Sequence, residues 1–78
     1  MRVRYVSPVF EGHVFMVPLE GLKYFQKRDA AVLALKQLGG LNAPDTEEVR
    51  KYRRAILSAR RAIERNGFYA TPAIPAGV

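Results

Sequence analysis

The chain has 78 residues with no cysteine and no tryptophan; 49% of them are hydrophobic and 26% are charged. A chain of this length builds one domain, and its ordinary balance of apolar and charged residues excludes wholesale disorder. The lack of cysteine excludes disulfides and cysteine-ligated zinc, and a single histidine gives no basis for a metal or cofactor site. A chain this short has a small core, which leaves little room for a deep catalytic pocket. We therefore expect a binding protein and not an enzyme.

Positive charge is concentrated in one segment. Thirteen lysine and arginine residues against seven acidic residues give a formal net charge of +6. Residues 50–65 contain seven basic side chains and a single acid, Glu64. Since the rest of the chain is nearly neutral, this segment is expected to attract a phosphate polymer or an acidic protein surface.

The N-terminal part reads as β-structure. Glu-Gly pairs at residues 11–12 and 20–21 predict tight turns, because glycine adopts the positive φ that such turns need. Apolar residues dominate the segments before and between these pairs. They predict an antiparallel hairpin of residues 2–10 and 13–19, with residues 23–25 as a short third strand.

A first helix is predicted at about residues 27–38, where apolar residues recur on one side at helical spacing. Asp29 would lie in its first turn, where a carboxylate complements the helix dipole. The pair Gly39-Gly40 predicts its end, since glycine accepts the left-handed conformation common after helices.

A second helix, at about residues 46–65, has the strongest local signals. Asp45 followed three residues later by Glu48 resembles a capping box, and Asn66-Gly67 is a stop signal. The tail, residues 68–78, reads as extended, with anchoring on the core expected from Phe68, Tyr69 and Ile74.

One side of the second helix carries an apolar stripe with heptad-like spacing, formed by Val49, Tyr52, Ile56, Ala59 and Ile63. Two interpretations are open. The stripe packs on the sheet and the first helix of the same chain, or it is a seam that joins two copies into a homo-oligomer.

The opposite side of the second helix is basic. Arginine offers a planar fork of donors that fits phosphate oxygens, and this side has few acids to pair with it. A merely solvated outer face is the competing interpretation. The chief contacts on this side are Arg50, Arg54, Arg61 and Arg65, with Lys51 beside them, and Arg53 and Arg60, which flank the apolar stripe, support them. We name these seven residues the arginine face.

The hairpin offers a second candidate surface. Its second strand is apolar at successive positions, so both strand faces need a cover or one of them binds a partner. Phe10, Phe15 and Met16 are the residues expected in such a protein-interaction patch. His13 and Ser7 have no neighbours in sequence that suggest catalysis.

Together these elements predict one α+β domain over residues 1–78. An N-terminal hairpin or three-stranded antiparallel sheet, at about residues 2–25, precedes two helices and an extended tail.

The longest apolar run is too short to span a bilayer, so we expect no membrane partner. We also expect a cytoplasmic location, which would be the host cytoplasm if a phage encodes the chain.

The first functional hypothesis is a nucleic-acid or nucleoprotein-binding accessory factor that contacts phosphates without sequence preference. The alternative is a protein-binding regulator or inhibitor, of the kind that phages and mobile elements encode. Such a protein would occlude a partner's functional surface through the apolar hairpin or the basic helix.

Overall fold

A computed structural model of the protein describes residues 1–73 and confirms the α+β class. Along the chain the strands and α-helices are β1 (Arg2–Val6), β2 (Val14–Pro18), α1 (Leu22–Gln37), α2 (Glu47–Asn66) and β3 (Thr71–Pro72). The strands form one antiparallel sheet in the order β1-β2-β3.

The predicted hairpin is present, with shorter strands than the sequence suggested. Val3 lies opposite Val17, and Tyr5 lies opposite Phe15. The turn contains Gly12 at a φ of 78°, as predicted. Pairing ends before Pro8 because proline has no N–H to donate to a ladder.

The third strand comes from a different part of the chain than predicted. Residues 23–25 are helical, and the tail supplies β3 beside β2 instead. Arg2 ties this strand to the sheet: its Nη2 donates to the carbonyl oxygens of Met16 and Tyr69, both at 2.7 Å, and to Thr71 Oγ1 at 3.1 Å.

Helix α1 begins five residues earlier than predicted, directly after a 3₁₀ turn. Gly21 in that turn has a φ of −93°, so it is no left-handed turn residue. It is buried under Phe68, and an added Cβ would lie 2.8 Å from the Phe68 ring. Glycine is therefore needed here for close approach. The end of α1 is as predicted, with Gly39 at a φ of 117°.

Two predicted capping roles are wrong. Asp29 lies in the middle of α1, not in its first turn, and is 2% exposed. At the start of α2 the cap is Thr46, whose side chain accepts a hydrogen bond from the Val49 N–H at 3.2 Å. Asp45, one residue earlier, points to Arg50 instead.

The core lies where the inner face of the sheet meets the start of α1 and the end of α2. Its buried centre is formed by Tyr5, Val17 and Phe25. Ile63 and Phe68 pack against this centre from the C-terminal side. Of the predicted tail anchors, Phe68 is confirmed and Tyr69 is wrong, being 73% exposed, while Ile74 lies outside the described residues.

The two helices pack against each other along their lengths. A short connection and the contact of Gly21 with Phe68 show that they run antiparallel. Val49 and Ala59, in the apolar stripe of α2, are each only 1% exposed. These two residues pack inside their own chain, as the first of the two interpretations expects, while Tyr52, Ile56 and Ile63 are half-buried. No helix within residues 1–73 has the length and apolar character to cross a bilayer.

Candidate functional site

Most of the arginine face lies on the outer side of α2, because the apolar stripe of that helix packs on α1 and the opposite side is directed to solvent. Arg53 and Arg60 border the apolar stripe by helix angle. Four of the arginines fall within about 60° of one another around the helix axis, at 3.6 residues per turn. All seven residues of the face are exposed: Arg50, Lys51, Arg53, Arg54, Arg60, Arg61 and Arg65.

Within the described residues, Arg50 is the one member of the arginine face that forms an ion pair. Its Nε and Nη2 donate to the two carboxylate oxygens of Asp45, at 2.9 and 3.0 Å. This two-point contact lowers the pKa of the Asp45 carboxyl below its ordinary value and raises the pKa of Arg50. Both side chains are exposed, so solvent screens the pair.

The other six basic side chains of the face make no ion pair with any residue of the described chain. Helices whose charged faces are simply solvated usually intersperse glutamate with arginine, since pairs four residues apart stabilise the helix. Here Glu64 is the only acid of the basic segment and makes no such pair. The face keeps an uncompensated positive charge that a polyanion can neutralise.

An open groove of about 540 Å³ runs beside this face. Its volume lies within the range of roughly 300–1,000 Å³ that is usual for small-ligand sites. The wall on α2 combines guanidinium groups with apolar and hydroxyl side chains, while α1 contributes one aromatic ring. The lining residues are Tyr24, Arg54, Leu57, Ser58, Arg61, Ala62 and Arg65.

Tyr24 is held in place by aromatic packing. Its ring stacks on that of Phe68, with centroids 6.2 Å apart and planes 20° apart. The ammonium group of Lys23 lies over the Tyr24 ring, 5.1 Å from its centroid. The groove therefore has an ordered aromatic surface with cations around it.

Tyr24 is not among the site residues predicted from the sequence, because residues 23–25 are predicted there as a strand and are helical in the structure. The available signal was the spacing of Leu22 and Phe25, three residues apart, both of which pack on the core. That spacing suits a helix, and a helix starting there would have directed attention to Tyr24.

The hairpin residues of the alternative hypothesis do not form one surface. Phe15 and Met16 are neighbours on β2 and point to opposite sides of the sheet. Phe15 packs against the core, whereas Met16 is paired with Arg4 on the outer side. Phe10 is 51% exposed and forms an aromatic cluster with His13 and Phe15, with ring centroids 6.3 Å apart.

Ser7, which had no apparent partner in the sequence, belongs to a buried polar network. Its Oγ donates to Asp29 Oδ2 at 2.9 Å, and the Tyr5 hydroxyl donates to the same oxygen at 2.7 Å. Asp29 Oδ1 accepts from Arg28 Nε at 2.9 Å. Burial, followed by the hydrogen bond to Asp29, raises the pKa of Tyr5 well above its ordinary value. Tyr5, Ser7 and Asp29 are buried and Arg28 is partly exposed, and the network fastens the hairpin to α1.

No protein-family model, no curated protein and no solved structure matches this chain. The assignment of function therefore depends on the chemistry of the site itself.

Proposed function

We propose that this protein binds nucleic acid through the arginine face of α2, as a small accessory protein without catalytic activity. The observation that supports the proposal is the set of six exposed cations on α2 with no ion pair in residues 1–73. Guanidinium groups bind phosphate oxygens at two points, and each phosphate neutralised releases condensed counterions.

The arrangement of the face suits a polyanion more than a single anion. From Arg50 to Arg65 the charges extend along about 22 Å of helix, at 1.5 Å per residue. A row of that length meets several phosphates in succession along a backbone. Contacts of this kind carry no direct sequence information, so the binding is expected to be indifferent to sequence.

The salt dependence of binding tests this proposal. Fluorescence anisotropy would follow binding to a labelled nucleic acid at several salt concentrations. Each phosphate contact contributes about −0.7 to the log–log slope for a single strand and about −0.9 for a duplex. A triple glutamine variant that removes three charges should flatten the slope by about 2 for a single strand and by nearly 3 for a duplex. The three substitutions are Arg54→Gln, Arg61→Gln and Arg65→Gln.

A matched control removes three exposed positive charges elsewhere, with the same change in net charge. It should weaken binding only slightly and leave the slope close to that of the unmodified chain, because those residues contact no phosphate in the proposed mode. Equal effects of the two triple variants would contradict the assignment to the arginine face. The control substitutions are Arg4→Gln, Lys27→Gln and Lys36→Gln.

The second candidate function is a protein-binding regulator, for which the half-exposed Phe10 at the hairpin turn is the supporting observation. Under this alternative the arginine face or the hairpin meets an acidic or apolar protein surface. Absence of binding to any nucleic acid at low salt would favour it. Loss of a partner's binding on Phe10→Ser, with folding intact, would locate the contact on the hairpin.

A further inference from the structure

We infer that the groove beside Tyr24 selects single-stranded nucleic acid: an unpaired base stacks on Tyr24 while Arg54, Arg61 and Arg65 hold the flanking phosphates. This inference rests on the proposed nucleic-acid function and adds the class of strand that is recognised. It is carried by the groove, in which an aromatic ring and three arginines line one opening.

The groove offers partners for both chemical parts of a nucleotide. Arg61 and Arg65 are one helical turn apart, and the three groove arginines together span about 16 Å of α2. They form a row that follows a phosphate backbone. The Tyr24 ring, on the neighbouring helix, offers the flat surface that a base needs. Proteins that bind single strands without sequence preference combine these two features.

The ring of Tyr24 is both fixed and accessible. Phe68 supports it by stacking, so little conformational freedom is lost when a base binds. The exposed Lys23 places its ammonium over the ring. Tyr24 itself is half-buried and lines the groove, so part of its surface is accessible. A base that takes this position leaves Lys23 free to pair with a phosphate.

A duplex cannot use the ring in the same way. Its bases are stacked on one another, and reaching their faces requires unpairing at a cost of a few kcal/mol. A duplex therefore meets only the arginines, whereas a single strand meets the arginines and Tyr24. The structure thus predicts preference for single strands at equal numbers of phosphates.

Three labelled ligands separate stacking from phosphate binding in an anisotropy titration. They are an oligothymidylate of about 12 nucleotides, within the usual site sizes, an abasic strand of equal length, and a duplex. The oligothymidylate should bind about tenfold more tightly than the abasic strand, since stacking of one base has about this effect. Tyr24→Leu should remove this difference without changing the salt slope, and Tyr24→Phe should preserve it.

A fluorescence measurement guards against a folding defect in Tyr24→Leu. The chain contains no tryptophan, so Tyr24→Trp introduces a single reporter in the groove. Its emission should be quenched by the oligothymidylate and not by the abasic strand. The control, Tyr52→Trp, places the reporter on the apolar stripe of α2, outside the groove, where neither strand should quench it.

The possible outcomes distinguish the two proposals. Equal affinities for the oligothymidylate and the abasic strand, with no quenching of Tyr24→Trp, would overturn base stacking and leave phosphate binding by the arginine face in place. Absence of binding to all three ligands at low salt would overturn the proposed function itself. A tenfold preference that Tyr24→Leu abolishes, together with selective quenching, would support both.

Discussion

Replacing Asp29 by alanine should destabilise the protein by about 3 kcal/mol. The carboxylate is 2% exposed and accepts hydrogen bonds from the hydroxyls of Tyr5 and Ser7. Two hydrogen bonds to a charged group are worth roughly 3–6 kcal/mol together. Two features keep the expected loss of stability at the lower end of this range. Tyr5 can still donate to the Phe25 carbonyl oxygen, 3.2 Å away, and the partly exposed Arg28 regains water.

Urea unfolding followed by far-UV circular dichroism measures this effect. A domain of this size has a total stability of about 4–12 kcal/mol, so a loss of 3 shifts the midpoint strongly. The matched control is Asp45→Ala, because Asp45 accepts from Arg50 Nε at the same 2.9 Å that joins Asp29 and Arg28. Both members of that pair are exposed, and the midpoint should be nearly unchanged. Equal shifts for the two variants would refute the argument that burial decides the contribution.

Three further predictions concern stability. Thr46→Ala should cost about 1 kcal/mol in the same urea assay, because the Val49 N–H loses its cap acceptor; a cost near zero would mean that water replaces the cap. Above pH 10, the approximate pKa of an unfolded tyrosine, the unfolded chain releases the Tyr5 proton while the folded chain keeps it. The free energy of unfolding should then fall by up to about 1.4 kcal/mol per pH unit, and Tyr5→Phe should remove that part of the slope. Gly21→Ala should cost about 1–3 kcal/mol, since its Cβ would lie 2.8 Å from the Phe68 ring. In a Phe68→Ala background, Gly21→Ala should cost almost nothing further. If the two losses of unfolding free energy simply added in the double variant, the steric explanation would be contradicted.

Helix α2 was predictable to within a residue at each end because its signals are local. A polar cap, a run with helical spacing and Asn66-Gly67 at the end all lie within the segment they define. The identity of the cap was harder, since Asp45 and Thr46 are both good capping residues and lie side by side. Only the backbone geometry shows that the Thr46 oxygen reaches the Val49 N–H.

The start of α1 was mispredicted for a physical reason. A short segment such as residues 22–25, with Leu22, Tyr24 and Phe25 around one lysine, is compatible with a strand and with the first turn of a helix. Local periodicity does not distinguish the two in so short a segment. The strand position beside β2 was filled by Thr71–Pro72, which Arg2 holds through contacts across 67 and 69 residues of chain. Asp29 shows the same limit, since its hydroxyl partners lie 22 and 24 residues away.

The apolar side and the basic side of α2 follow from local sequence, because 3.6 residues per turn place side chains around the helix axis without reference to the rest of the chain. Composition alone likewise places the net charge in residues 50–65. Which side chains lie beside the charged residues depends on the tertiary structure. Tyr24 reaches Arg61 and Arg65 because α1 and α2 run antiparallel and Phe68 folds back onto the start of α1. Such a meeting of distant segments depends on packing of the whole core, which no local pattern records.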